Sequence, residues 1–400
     1  MTPTVLVLNC GSSSIKYQLV DVAAAAARAH GLVERIGEES GRLHHEGAAG
    51  SIDREAPIPD HEAGLRAIID AFEETGPSID TGDVVAVGHR VVHGGERFAE
   101  PILIDDRLET AIDQLSALAP LHNPPNLAGI RVARKALPDL PHVAVFDTAF
   151  HQSLPPAAYT YALDRTVARR HGVRRYGFHG TSVAYVTREA ARFLDRDPAQ
   201  TNLIVLHLGN GASATAVRDG RSVDTSMGLT PLEGLVMGTR TGDLDPGIVF
   251  HLHREAGMSI DELDNLFNRR SGMLGLTGAN DLREVRRMAV EGDADAALAI
   301  AVYCRRIRQY VGAYSAELGD VHAVVFTAGV GENAAWVRSR SLAGLTRLGI
   351  EVDSVRNATN GGGPRLISPD EADVAVLVIP TNEELEIARQ SLALTQRPTG

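Results

Sequence analysis

Short runs of branched apolar residues alternate along this chain with longer stretches in which apolar residues return every three or four positions. The first kind reads as buried β-strand and the second as amphipathic helix. The pattern predicts strands at Val5–Leu8, Ile15–Val20, Val84–Gly88, Val143–Phe146, Leu203–His207, Ser213–Arg218, Ala323–Thr327 and Val374–Ile379. It predicts helices at Glu62–Glu74, Arg107–Leu118, Leu127–Ala136, Val183–Leu194, Ser259–Asn268, Ala294–Leu318, Ala334–Leu348 and Glu383–Leu394. Alternation of the two types is the mark of an α/β protein. Ala23–Ala27 reads as a local helix or loop, and Gly361–Pro364 as a surface turn.

Two segments repeat one pattern: Val5–Asp21, with the turn Asn9-Cys-Gly-Ser-Ser-Ser14, and Leu203–Gly220, with the turn Leu208-Gly-Asn-Gly211. Each is an apolar strand, a tight turn and a second strand ending at an acidic residue. Hairpins of this kind also arise by chance, but these two lie half a chain apart. Duplication predicts two α/β domains, each opening with a hairpin whose turn points at a shared cleft. The boundaries expected are 1–150 plus the returning C-terminal helix at 384–400, and 151–383. A third element, Val324–Asn333, is a strand running into a Gly-rich turn and then a helix, a favourable place for a phosphate or nucleotide edge.

Composition narrows the partners. A formal net charge of −12 argues against a nucleic-acid partner, which needs a basic stripe. A single nucleotide needs only a local positive pocket. The chain has two lysines, Lys16 and Lys135, so its positive charge is almost all arginine. Two cysteines, Cys10 and Cys304, make no disulfide framework. There is no signal-peptide pattern at the N-terminus and no apolar run of membrane-spanning length, so a cytoplasmic protein without a membrane partner is expected.

The known phosphate-binding patterns are absent. Neither lysine sits in a G-x-x-x-x-G-K-[ST] frame, and no G-x-G-x-x-G or protein-kinase set occurs. What remains is two phosphate-facing hairpins plus a Gly-rich adenosine turn, the layout of the actin-like, sugar-kinase and heat-shock ATPase superfamily.

Within that superfamily the chain resembles the acetokinase family over essentially its whole length. The segments that carry the likeness are Asn9–Lys16, Gly88–Gly95, Ala119–Asn126, Val145–His151, Tyr176–Ser182, His207–Gly211, Thr225–Gly234, Met237–Pro246, Gly329–Asn333 and Pro380–Glu384. Two departures are visible. Val183 stands where the family has histidine, and Gly278-Ala-Asn-Asp281 replaces a loop that is often serine-rich.

The resemblance implies two duplicated actin-like (ribonuclease H-like) domains with the active site in the cleft between them. It implies reversible, direct in-line transfer of the ATP γ-phosphoryl group to acetate, with Mg²⁺ (or Mn²⁺), in a homodimer. An ionised carboxylate needs no general base, but it must approach a polyanion, a task suited to arginine. By resemblance Arg90 and Arg240 hold the carboxylate and the transferring group, His179 bonds the phosphoryl group, and Asp147 orients an arginine or the acceptor or assists the metal. An Asp after a strand also serves as a helix N-cap. Asn9 and Glu383 support the metal. Lys16, His207, Leu208, Gly209, Asn210 and Gly211 face the phosphates. Asp281, Leu282, Arg283 and the run Gly329, Val330, Gly331, Glu332 and Asn333 line the adenosine end. Val92, Leu121, Phe178 and Pro231 make the acyl pocket, and His122 reads as structural. The rivals are a propionate or butyrate kinase of the same family, an actin-like ATPase binding module, and a sugar or glycerol kinase with Asp147 as base.

Overall fold

A computed structural model describes residues 2–79, 82–359 and 361–396 of the chain. The chain divides into two compact units, Met1–Ala149 with Asn382–Gly400, and Phe150–Thr381.

The strands of the first unit are β1 (Thr4–Cys10), β2 (Ser14–Asp21), β3 (Ala26–Glu34), β4 (Gly41–Gly47), β5 (Gly50–Ala56), β6 (Val84–Val91), β7 (Ile102–Leu103) and β8 (His142–Phe146). They form one sheet in the order β5-β4-β3-β2-β1-β6-β8-β7. β1 and β2 are antiparallel across the turn at residues 11–13, while β6 runs parallel to both β1 and β8. One face of the sheet packs against helix His61–Thr75 through Leu65, Ile68 and Phe72, all buried with Ile15, Tyr17 and Leu43. The last helix, Glu383–Thr395, returns to the same unit. It lies so close to β6 that a Cβ at Gly88 would come within 2.7 Å of Ile387 Cγ2 and Ser391 Oγ. Glycine is therefore required there for the helix to reach the strand.

The strands of the second unit are β9 (Leu203–Leu208), β10 (Ala212–Arg218), β11 (Arg221–Thr225), β12 (Ala323–Thr327), β13 (Arg365–Leu366) and β14 (Ala375–Val378), in the order β11-β10-β9-β12-β14-β13. The antiparallel pairs β10–β9 and β10–β11 and the parallel pairs β9–β12 and β12–β14 repeat the arrangement of β1, β2, β3, β6 and β8. With β7 antiparallel to β8 as β13 is to β14, the duplication expected from two hairpins thus extends to six strands of each sheet. Val183 is fully buried among Val186, Val205, Val217 and Leu377, an apolar setting in which an ionisable side chain would lose its hydration.

Two expectations are corrected. Ala23–Ala27 is a turn only as far as Ala25, because β3 begins at Ala26. Strands β3, β4 and β5 carry too few apolar residues to show a pattern. Part of their interior is polar: buried His45 is hydrogen-bonded to Tyr17 Oη (2.6 Å) and Thr75 Oγ1 (2.9 Å). The helix expected over Ala334–Leu348 stops at Leu342, since Gly344 takes a φ of 83°. Among the described residues no helix is long and apolar enough to cross a membrane.

Candidate active site

In the first unit the ends of three adjacent parallel strands bring three polar side chains together. Arg90 lies near the end of β6, flanked by Asn9 of β1 and by Asp147, one residue past β8. The carboxyl ends of parallel strands are where α/β sheets present functional groups. Arg90 Nη2 donates to Asp147 Oδ2 and Nη1 donates to Asn9 Oδ1 at 3.3 Å. Glu383, at the first turn of the returning helix, places Oε2 4.0 Å from Arg90 Nε. Burial opposes the Arg90 charge, but Asp147 and Glu383 outweigh it and hold the guanidinium firmly protonated. Burial pushes Glu383 the other way, up to about 7, against the pull of Arg90 and with Asp147 and Glu384 adding repulsion. Lys16 is paired with Glu384 at 2.5 Å, so this cation has a partner within its own unit.

In the second unit a different set gathers around the β9–β10 turn. His179, immediately before helix Gly180–Phe193, sits in the left-handed region at φ 60°, an uncommon and costly conformation for a side chain of its size. Its Nδ1 is hydrogen-bonded to Ser213 Oγ at 2.9 Å, and its ring stacks on His207 at 4.1 Å between centroids. His207 is anchored in turn by Ser182 Oγ at 2.8 Å. Gly238 N donates to Asn210 O at 3.0 Å, which ties the loop carrying Arg240 to the same turn. A Cβ on Gly211 would lie 3.4 Å from His179 Nε2 and 3.8 Å from Arg240 Nη1, so both groups converge on the space that the glycine leaves open.

Arg240 differs from Arg90 in its partners. Its Nη1 donates to Pro231 O at 3.3 Å and lies 3.9 Å from Met237 Sδ. Among the described residues it enters no ion pair, and burial lowers its pKa from the ordinary value. Arg175, which the sequence reading missed, fastens the preceding loop by donating to the carbonyls of Thr225, Ser226 and Met227 and to Glu233. A lone arginine beside Tyr176 carries no periodic signal that could have revealed this.

The second unit also holds a cavity of about 650 Å³. Of the expected nucleotide residues, Gly209, Asn210, Asp281, Leu282, Arg283, Gly329, Val330 and Asn333 line it. His207, Leu208, Gly211, Gly331 and Glu332 are not in its wall; Leu208 and Gly331 are buried, and Glu332 Oε1 accepts from Thr381 N at 3.2 Å. The segment expected as a Gly-rich turn is itself a short helix, Ala328–Asn333, with Ala328 at φ 63°. Asp281 caps helix Leu282–Val290 and also grips the Arg283 guanidinium. The sequence reading missed Arg286 and Trp336, which line the same cavity. Of the acyl-pocket candidates, Val92 and Leu121 belong to the first unit, and Phe178 and Pro231 to the second. Val92 is buried and Leu121 exposed; Phe178 is buried and Pro231 half-buried.

The comparisons with known proteins agree on one family. The Acetokinase family model matches residues 4–389. The chain is 61% identical over 393 residues to a protein of Clavibacter sepedonicus named acetate kinase, covering 98% of this chain and 99% of that one. It is 59% identical over 392 residues to the acetate kinase of Streptomyces coelicolor, with 98% and 96% covered. Among solved structures, the acetate kinase of Porphyromonas gingivalis matches with a TM-score of 0.94 at 41% identity, covering 99% of this chain and all of that chain. A propionate kinase from Francisella tularensis subsp. tularensis SCHU S4 matches with a TM-score of 0.92 at 40% identity, over 98% of this chain and all of that one. With the family pattern spanning both hairpins, both arginines and the returning helix, this chain belongs to the acetokinase family.

Proposed function

We propose that this chain phosphorylates a short carboxylic acid, acetate first, at the expense of ATP, by direct in-line transfer. The observation that carries the reading is the half-buried guanidinium of Arg240, without an ion-pair partner among the described residues, converging with His179 on the space beside Gly211. Such a group waits for an anion. A carboxylate oxygen attacks the γ-phosphorus, the bond from that phosphorus to the β–γ bridging oxygen breaks, and ADP leaves with the bond electrons. The acceptor is already ionised, so no proton need be removed. Arg240 and His179 Nε2 are assigned to the charge on the transferring group, Arg90 to the acceptor carboxylate, and the wall of the 650 Å³ cavity to the nucleoside. The engagement of Asp147 with Arg90 supports this over a sugar kinase, which needs a free base for a hydroxyl.

Asn9, Asp147 and Glu383 offer an oxygen-only donor set with one more carboxylate than the single arginine beside them neutralises. That chemistry fits Mg²⁺, which takes few protein ligands and keeps much of its water. Among the described residues no cluster of three or more His, Cys, Asp or Glu is arranged to hold a metal. Mg²⁺ bound by Asn9 and Glu383 would supply neutralisation of charge on the nucleotide phosphates. Val92, Leu121, Phe178 and Pro231 are assigned to the methyl end of the acid. Each methylene in such a pocket is worth only about 1–3 kcal/mol, so propionate is expected as a weaker substrate. A homodimer and a cytoplasmic location complete the reading.

The test is ADP release from ATP and Mg²⁺ with acetate, propionate, butyrate or glycerol, with hydroxylamine trapping any acyl phosphate. Acetate-dependent release with hydroxamate formation is expected. Release that ignores all four acceptors would replace the reading with an ATPase module.

A further inference from the structure

The chain contains one tryptophan, Trp336, and it lines the 650 Å³ cavity of the second unit. It is half-buried near the start of helix Ala335–Leu342. The guanidinium carbon of Arg286 lies over its ring, 5.6 Å from the centroid. Arg286 belongs to helix Leu282–Val290, which carries three arginines. Arg283 is bound to Asp281, and Arg287 is bound to Glu291 at 2.7 Å with Glu284 close by. Arg286 alone of the three enters no ion pair among the described residues and instead meets the indole. The one acidic residue of that helix, Glu284, is two positions from Arg286 and does not share its face. Here the cation and the largest aromatic face in the chain are both placed in the wall of one cavity.

We propose that Trp336, backed by Arg286, is the stacking platform for the base of the bound nucleotide and sets a preference for purine over pyrimidine nucleotides. The inference rests on the cavity being the nucleotide site. A base offers a π-face whatever its edge groups, and stacking on an aromatic side chain is worth about 1–3 kcal/mol. A purine covers more of an indole than a pyrimidine does. Arg286 over the indole holds the ring's orientation and adds its own attraction to the aromatic face.

Because Trp336 is the sole tryptophan, its fluorescence in the intact protein reports on this position alone. ADP should quench it saturably, with the same Kd that calorimetry gives, while inorganic tripolyphosphate, which lacks a base, leaves it unchanged. Trp336→Ala should raise the Kd for ADP roughly tenfold or more and narrow the preference of ADP over CDP, with tripolyphosphate binding unaltered. Trp336→Phe should keep most of the affinity, and Arg286→Met should lose a few-fold of it. Should the alanine variant fail to fold, Trp336→Leu, expected to lose the same roughly tenfold or more, and Arg286→Met decide. Unchanged ADP affinity and unchanged base preference in these variants would overturn the proposal while leaving the kinase reading intact. A wild-type protein that binds no ADP by calorimetry would overturn the nucleotide reading itself.

Discussion

Arg90 and Arg240 bring the same guanidinium into opposite surroundings. Arg90 stands among Asp147, Glu383 and Asn9 in the first unit, its charge answered by carboxylates before any ligand arrives. Arg240, in the second unit, has a carbonyl oxygen and a thioether for company. The difference separates two tasks. A neutralised arginine keeps its orientation and its fold contribution, and can turn part of its fork to an incoming carboxylate. A bare arginine adds little to folding and offers its whole charge to a phosphoryl group.

The largest effect that would break this contrast is on activity. Arg240→Ala should lower kcat roughly 10³-fold or more, the scale seen when a charge-stabilising arginine is removed from phosphoryl transfer. Its thermal midpoint should stay close to wild type, because no ion pair is lost. Arg90→Ala should lose activity as well, but also stability: Asp147 would be left buried without its cation, at a cost of about 3–5 kcal/mol in chemical denaturation. A double change, Arg90→Met with Asp147→Leu, should recover much of that stability and none of the activity. Equal thermal midpoints for the two single arginine variants would remove the distinction.

Next in size is Gly211→Ala. The added methyl occupies the space on which His179 Nε2 and Arg240 Nη1 converge, without entering the core. The methyl sits in ordinary contact with both groups and acts by crowding the bound phosphoryl group. A displacement of that group by about 1 Å costs on the order of 10²-fold in rate, so kcat should fall by that much with little change in unfolding.

The smallest effect concerns where each unit keeps its histidines. The second unit stacks His179 on His207, whereas the first buries His89 against His142. His142 Nε2 donates to Leu137 O at 3.0 Å, so its Nδ1 accepts from His89 Nε2 at 2.9 Å and the pair is neutral. Burial, then the neighbouring charges, hold both below the ordinary histidine value of 6.5. The unfolded chain therefore takes up protons first as pH falls. The stabilisation is complete above 6.5 and is lost as pH drops below it toward the folded values. The thermal midpoint should fall between pH 7.5 and pH 5, and His89→Gln, which keeps a donor but does not titrate, should shrink that fall.

The most legible strands are those buried on both faces, although β2, read as Ile15–Val20, exposes Lys16. β1, β8, β9 and β12 are continuous apolar runs, and their turns carry glycine, serine or asparagine. β5 is mostly exposed and β4 buries a hydrogen-bonded histidine, so neither leaves an apolar rhythm to read. The site was read differently. Arg90, Arg240, His179 and Asp147 were singled out through the family resemblance, and position alone offered only that Asp147 follows a buried strand and that Asn210 sits in a hairpin turn. Arg175, Arg286 and Trp336 act through tertiary contacts with segments distant in sequence, and no spacing along the chain encodes those contacts.

The central claim is that both arginines serve one transfer from ATP to a carboxylate. The most direct test is hydroxamate formation with ATP, Mg²⁺, acetate and hydroxylamine, followed beside ADP release in the wild type, Arg90→Ala and Arg240→Ala. The account predicts equal amounts of hydroxamate and ADP from the wild type, and near loss of both from each variant. Undiminished hydroxamate from Arg240→Ala, or ADP released at the wild-type rate without acetate, would contradict it.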